Sequence, residues 1–241
     1  MLNYATVPYI KHVSEKKILG FPGVCYQCRF DTGGYSDSNV MQLLGEDLHG
    51  SLSLAVTKRK SEFVAGRYMA RQALIALGST SFTVGIGTNR APLWPDAFVG
   101  SISHSKEYAI CAVANVANIT RLGIDVENFL DEKSARDIVG SVLIRSEYTL
   151  VGTYSNPNPV IVTLIFSAKE SLFKALYPEI GRYFDFDVVQ TKIINFKTGI
   201  FSLELVKELN PSLPVGTRFE GIFELGADTV FTMITGSIVV S

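Results

Sequence analysis

The pattern that most restricts how this 241-residue chain can fold occurs twice: a long helical segment, then residues with the alternation or β-branched content of strands. In the first instance, Phe63, Gly66, Ala70, Leu74 and Leu77 recur at three- and four-residue steps within Ser61–Leu77. This makes an apolar stripe whose Gly and Ala permit close packing, and Gly78 follows at a C-cap position. Tyr108–Ala114 then reads as a strand. In the second instance, Val160–Tyr177 has two readings. Either Val160–Phe166 is a buried strand with a helix restarting at Ser167, or Asn158 caps one helix with Pro159 at its first position, running to Tyr177 before Pro178. The second is preferred because it places Phe166, Glu170 and Lys174 on one helical face. Strand patterns follow near Ile193–Phe196, Phe201–Leu205, Arg218–Leu225 and Val230–Val240. The expectation is an α+β fold of two halves, 1–120 and 121–241, each a long helix on a small antiparallel sheet, joined near Asn118–Leu122.

Hydrophobic residues make up 47% of the chain and charged residues 19%, which excludes a disordered or fibrous chain. A formal net charge of −1 gives no support for nucleic acid as a partner, so any basic function is local. No apolar run reaches the ~18 residues of a bilayer span, and Met1–Pro8 lacks the basic and apolar pattern of a secretory signal, so the chain reads as cytoplasmic. Cys25, Cys28 and Cys111 cannot form a disulfide framework, and Cys25-Tyr-Gln-Cys28 lacks the second Cys or His pair of a zinc site.

The residues most suggestive of chemistry are acidic. In Leu122-Gly-Ile-Asp-Val-Glu127 the carboxylates of Asp125 and Glu127 leave one face of a strand, where two like charges call for a cation. A hard divalent ion such as magnesium suits oxygen ligands, and Glu170 offers a third carboxylate with Lys174 four residues on. The plainer alternatives, an edge strand wetted on its acidic face and a surface Glu–Lys pair, stay open on each segment alone. Gly100-Ser-Ile-Ser-His-Ser105 lacks the Gly-x-Ser-x-Gly elbow of a serine hydrolase but offers hydroxyl, imidazole and backbone donors suited to a phosphate. Lys58-Arg59-Lys60, Arg67 and Arg71 supply local positive charge, for which a solvated helix face is the plainer alternative. Trp94, in Arg90-Ala-Pro-Leu-Trp-Pro95, reads as a packed loop anchor.

In this order, Lys58-Arg59 with Ala65-Gly66-Arg67, Pro92-Leu-Trp-Pro95 with Gly100–His104, Gly123-Ile-Asp-Val-Glu127, and Phe166-Ser-Ala-Lys-Glu-Ser171 with Lys174 closely resemble the 4′-phosphopantetheinyl transferases. The resemblance is to the surfactin-type class with two pseudo-symmetric halves, and within it to the enterobactin-synthase component D-like branch. It implies transfer of the phosphopantetheine arm of coenzyme A to a carrier-protein serine, with an active site at the interface between halves. By that resemblance Asp125, Glu127 and Glu170 are the magnesium ligands, Glu170 is also the general base, and Lys174 assists the leaving adenosine 3′,5′-bisphosphate. Arg59, Arg67, Ser103 and His104 match holders of coenzyme A phosphates, and Arg90 sits one residue from the family's usual basic position. The implied partners are apo aryl- or peptidyl-carrier domains of siderophore synthetases, and the implied state is a monomer. Phe166 stands where many members have Trp. A metal-dependent phosphodiesterase and a non-catalytic scaffold of a synthetase complex are the competing expectations.

Overall fold

The computed structural model describes residues 7–46 and 50–237. The amino-terminal reading of Met1–Pro8 and the end of the strand expected at Val230–Val240 therefore fall largely outside the described residues. In chain order the strands are β1 (Ile10–Glu15), β2 (Val24–Phe30), β3 (Gly85–Ile86), β4 (Pro92–Leu93), β5 (Phe98–Ser105), β6 (Tyr108–Asn115), β7 (Ile119–Asn128), β8 (Val189–Asn195), β9 (Ile200–Leu205), β10 (Arg218–Leu225) and β11 (Thr229–Ser237). The α-helices are α1 (Val40–Leu44), α2 (Thr57–Ala76), α3 (Glu132–Val142), α4 (Tyr148–Val151) and α5 (Pro159–Ile180). The fold is mixed helix and antiparallel sheet, and the chain divides into two compact units, one running to Thr120 and taking in Ser237, the other Arg121–Gly236. Among the described residues no helix is long and apolar enough to cross a membrane.

In the first unit the sheet order is β1-β2-β6-β5 with antiparallel pairings throughout. Central β6 is apolar from Ala109 to Ala114 because both of its faces are covered, and its alanines let α2 lie close. Gly66 marks the nearest approach: a Cβ there would sit 2.7 Å from Ile102 Cγ2 of β5. The helix begins four residues earlier than the apolar stripe indicates, and Gly78 at φ 71° receives its end. Trp94 packs on Gly100 as a loop anchor. The three cysteines are buried free thiols, Cys25 and Cys28 on β2 and Cys111 on β6.

In the second unit the order is β7-β11-β10-β9-β8, and α5 packs on this sheet through Leu164, Ala168, Leu172 and Ala175. Asn158 caps α5 as the sequence indicates, its Oδ1 accepting from the amides of Val160 and Ile161 with Pro159 at the first helical position. The helix does not stop before Pro178. Proline in the last turn forfeits a single helical bond, and the chain continues to Ile180 before Gly181 closes it at φ 67°, donating to the Tyr177 carbonyl. Two serines face the sheet: Ser167 Oγ lies 2.9 Å and Ser171 Oγ 2.7 Å from Thr232 Oγ1 of β11.

The tightest contact is at Gly123 of β7, where an added Cβ would stand 1.9 Å from the Ser171 carbonyl oxygen and 2.7 Å from the Ala175 nitrogen, both backbone atoms of α5. Gly123→Ala must push helix and strand apart, whereas Gly66→Ala meets only a side-chain methyl. Urea denaturation is expected to show a loss of about 3 kcal/mol for Gly123→Ala and about a third of that for Gly66→Ala.

Candidate functional site

The second unit gathers acids. Asp125 lies on an edge strand, yet it is 2% exposed, so the water-facing alternative is set aside for this residue. Its Oδ1 accepts from Lys174 Nζ at 2.7 Å, and the same ammonium donates to the Ile124 carbonyl at 3.2 Å. The contact at Gly123 makes this reach possible, because Lys174 precedes Ala175 on the helix turn that touches β7. Glu127, two residues along the strand, feels its neighbours strongly. Burial first, then the Asp125 carboxylate, push its carboxyl up to about 8; the Lys174 ammonium opposes this and the Glu170 carboxylate adds to it. Glu170 is itself raised, by burial against the pull of Lys174 and with a further push from Asp125.

Asp125, Glu127 and Glu170 thus share one electrostatic neighbourhood. They do not stand as a finished ligand set: among the described residues no three His, Cys, Asp or Glu side chains are grouped to hold a metal ion. Lys174 pairs with Asp125, while Glu127 and Glu170 hold their protons more tightly than ordinary glutamates. Their chemistry nonetheless fits a hard divalent cation, which prefers carboxylate oxygens and would offset both the burial and the repulsion that raise Glu127. Phe166, one helical turn before Glu170, meets Phe186 edge to face at 5.7 Å, so an apolar contact stands at that position.

The first unit gathers cations. Three of the first four residues of α2, Lys58, Arg59 and Lys60, are basic at the positive end of the helix dipole, with no acid in that turn. Lys60 is neutralised by Asp37 at 2.9 Å. Arg59 faces a cavity lined also by Glu62, Arg67, Arg90 and His104, with Leu52, Phe63 and Ile102 as apolar wall. Arg59 Nη1 lies 3.4 Å from His104 Nε2, and Glu62 stands 3.9 Å from Arg59 and 4.0 Å from His104.

Arg67 is not the solvated residue of a charged helix face. It is 8% exposed, stacked over the Phe63 ring at 4.9 Å, and donates from Nη2 to the Gly85 carbonyl at 3.0 Å. Its Nε and Nη1 are buried without a hydrogen-bond partner among the described residues. Such donors are expensive unless an acceptor arrives, and an anion in the cavity would supply it. Arg90 reaches the same cavity from a strained turn, Asn89 at φ 54° and Arg90 at φ 64°, between β3 and β4.

Ser103 does not join this group. Adjacent strand residues face opposite ways, so His104 and Ile102 line the cavity while Ser103, 4% exposed, lies on the other face of β5. Glu62 was not singled out in the sequence, although its spacing of three from Arg59 and four from Lys58 on a helix carries that signal. Lys169 and Glu147, both fully buried, were likewise unread.

The raised Glu127 carboxyl gives a pH test. A glutamate that holds its proton more tightly when folded than when unfolded costs nothing below its ordinary value of 4.5. Its cost grows as pH rises from there and is complete above about 8. In chelator, the thermal midpoint is expected to fall between pH 5 and 8 in the native chain, and Glu127→Gln is expected to remove most of that slope. A slope unchanged in the variant contradicts the assignment.

Comparison with known proteins places both units in one family. Residues 48–114 match the 4′-phosphopantetheinyl transferase N-terminal domain, and residues 121–217 match the 4′-phosphopantetheinyl transferase superfamily. The 4′-phosphopantetheinyl transferase Svp of Streptomyces mobaraensis is 35% identical over 204 residues, covering 82% of this chain and 80% of that protein. Enterobactin synthase component D of Salmonella typhi is 36% identical over 146 residues, 61% of this chain, and the chain spans 59% of that relative's length. The corresponding protein of Escherichia coli K12 is 32% identical over 148 residues, 61% of this chain and 67% of that protein. With both units matched and a relative covered over four fifths of its length, the chain belongs to the 4′-phosphopantetheinyl transferase family.

Proposed function

We propose that this chain transfers the 4′-phosphopantetheine arm of coenzyme A to a serine of an apo carrier protein, with magnesium as cofactor and adenosine 3′,5′-bisphosphate as the released product. The observation that carries the reading is Arg67, a buried guanidinium with two donors awaiting an acceptor in a cavity it shares with Arg59, Arg90 and His104. Coenzyme A brings a 3′-phosphate and a pyrophosphate, and an arginine fork matches phosphate oxygens with geometric fidelity. In this reading the first unit, residues 1–120, supplies the phosphate-binding cations and the second, residues 121–241, the magnesium ligands and the catalytic helix α5. Ser103, on the face of β5 away from this cavity, is left out of the phosphate-binding set.

Asp125, Glu127 and Glu170 would hold the magnesium ion, which when bound neutralises charge on the pyrophosphate and orients it. Glu170, whose carboxyl already binds protons more readily than an ordinary glutamate, accepts the proton of the incoming serine hydroxyl. The serine oxygen forms a bond to the phosphorus that bears pantetheine as the bond from that phosphorus to the bridging oxygen breaks. The bridging oxygen leaves with adenosine 3′,5′-bisphosphate, and Lys174, which already lies on Asp125, is the chain's own cation at that end of the site. The names of the relatives that act in enterobactin synthesis favour siderophore carrier domains as substrates. Both sets of residues lie in one chain, so the proposed working state is a monomer in the cytoplasm.

The direct test is the intact mass of an apo siderophore carrier domain incubated with the protein, coenzyme A and magnesium. Gain of one phosphopantetheine unit is expected. Cleavage of coenzyme A by water without any gain would identify a phosphodiesterase instead. Changing Asp125, Glu127 or Glu170 to Ala is expected to cost at least ~100-fold in transfer while the fold survives, and near-normal transfer by Asp125→Ala would defeat the shared metal site.

Phosphate recognition and leaving-group assistance separate kinetically. Arg67→Ala is expected to raise KM for coenzyme A and to lose the preference over the analogue without a 3′-phosphate, whereas Lys174→Ala lowers kcat more than it weakens binding. Equal losses by both variants on both coenzymes would show the roles to be misassigned.

A further inference from the structure

A second charged cluster lies inside the same unit as the carboxylates and is closed to water. Lys169 and Glu147 both have wholly buried side chains. Lys169 Nζ donates to Glu147 Oε2 at 2.7 Å and to the carbonyls of Val142 at 2.9 Å, Val189 at 3.0 Å and Phe186 at 3.3 Å. Glu147 is held in turn: its Oε2 accepts from the Ile144 amide at 2.8 Å and its Oε1 from the Thr191 amide at 2.6 Å. One lysine on α5 is thereby tied to the end of α3, to the turn Arg145–Glu147, to the turn Phe186–Val188 and to β8.

Stability alone does not call for this arrangement. Desolvating two charges costs about as much as their attraction returns, and an apolar pair of the same volume commonly serves a core as well or better. An apolar pair lacks direction, however. The ammonium meets its four acceptors from only one rotation and height of the helix, whereas leucine or methionine side chains tolerate sliding.

We propose that the Lys169–Glu147 pair is a positioning device that fixes the rotation of α5 and so aims Glu170. This rests on the role given to Glu170 in the transferase reading. Lys169 and Glu170 are consecutive, about 100° apart around the helix and ~1.5 Å along it, so whatever locks one locks the other. A carboxylate at the helix's outer radius of ~5 Å moves by roughly 1 Å for each 10° of rotation. That is enough to matter, since misplacement of a reacting group by about 1 Å can cost 100-fold. Gly123 sets how near α5 comes to β7, and the buried pair sets which way the helix faces when it arrives.

The test replaces the pair with apolar residues, Lys169→Met with Glu147→Leu, and includes Lys169→Arg and Glu147→Gln in case the double variant fails to fold. Magnesium affinity is measured by calorimetry with the metal alone, beside Glu170→Ala as reference, and kcat and KM for coenzyme A are measured separately. The expected result is a folded protein with a thermal midpoint near the native one, magnesium affinity weakened about 10-fold or more, and kcat lowered by a similar factor at unchanged KM. If the double variant does not fold, the same pattern in the two single variants supports the proposal. A folded variant with native magnesium affinity and native kcat overturns it, as does a loss confined to thermal stability. If the native protein binds magnesium but transfers nothing, the transferase reading fails, and the affinity difference among the variants decides the positioning role by itself.

Discussion

The second unit depends on a place where there is no side chain. At Gly123 the backbone of β7 meets the backbone of α5 so closely that a methyl group would fall 1.9 Å from the Ser171 carbonyl oxygen. The contact constrains where the helix can sit, because Ser171 and Ala175 backbone atoms both crowd the space a Cβ would take. Glu170 and Lys174, one residue before each, are carried to the side of β7 where Asp125 lies. Lys174 meets Asp125 at 2.7 Å, and Glu170 comes near enough to raise the Glu127 carboxyl. Ser167 and Ser171 repeat the device on β11, where small hydroxyl side chains let the helix settle on Thr232. Distances at the candidate site are therefore set by small residues, and its chemistry by the large polar ones beside them.

Charges in this molecule fall into two kinds. The Lys169–Glu147 cluster is closed: the ammonium and both carboxylate oxygens have partners, and water has no access to either side chain. The other charges are arranged against local preference. Basic residues crowd the positive end of α2, two donors of Arg67 lie buried without acceptors among the described residues, Arg90 occupies a left-handed backbone, and carboxylates crowd β7. The chain answers part of this itself, through Asp37 on Lys60 and Glu62 beside Lys58 and Arg59, whereas the buried Arg67 donors and the crowded carboxylates remain costly arrangements. The closed cluster accordingly differs in kind from the charges that the proposed function assigns to ligands.

What the sequence revealed and what it hid follow from the range of the interactions involved. The start of α5 was legible because an Asn cap and a Pro at the first position act within three residues. Its end was not, because Pro178 breaks a helix only where the lost bond matters, and in the final turn it does not. Strands β1 and β2 escaped notice: Ile10–Glu15 carries Lys, His, Ser and Glu, and only its pairing with β2 makes it a strand. Helix α3 had a readable signal, Asp131 as cap with Ala135, Val139 and Val142 on one face, that was passed over. At the candidate site, order along the chain singled out Asp125, Glu127, Glu170 and Lys174, which the structure places in one electrostatic neighbourhood. Ser103 and His104, neighbours in sequence, fall on opposite faces of β5, and only His104 lines the cavity. The burial of Arg67 and the pairing of Lys169 with Glu147 depend on segments far away in the chain, and no local pattern announces either.

The separation of the two kinds of charge bears on how such a protein can work. Electrostatic catalysis is efficient when the charges that stabilise a transition state are already in place and need no reorganisation as the reaction proceeds. A site whose charges were neutralised by one another would have to break those pairs first. Here most are held by the framework instead: Arg67 by the Phe63 ring and the Gly85 carbonyl, Arg90 by its turn, and Glu170 by a helix anchored through Lys169. The stability these charges withhold from the empty fold returns when a ligand of complementary charge binds, because whatever binds only the folded chain stabilises it by mass action. In the proposed reading, affinity for an anionic substrate and for a hard cation is the other face of that strain, and the closed ion pair on α5 lets the strain be carried without loss of register.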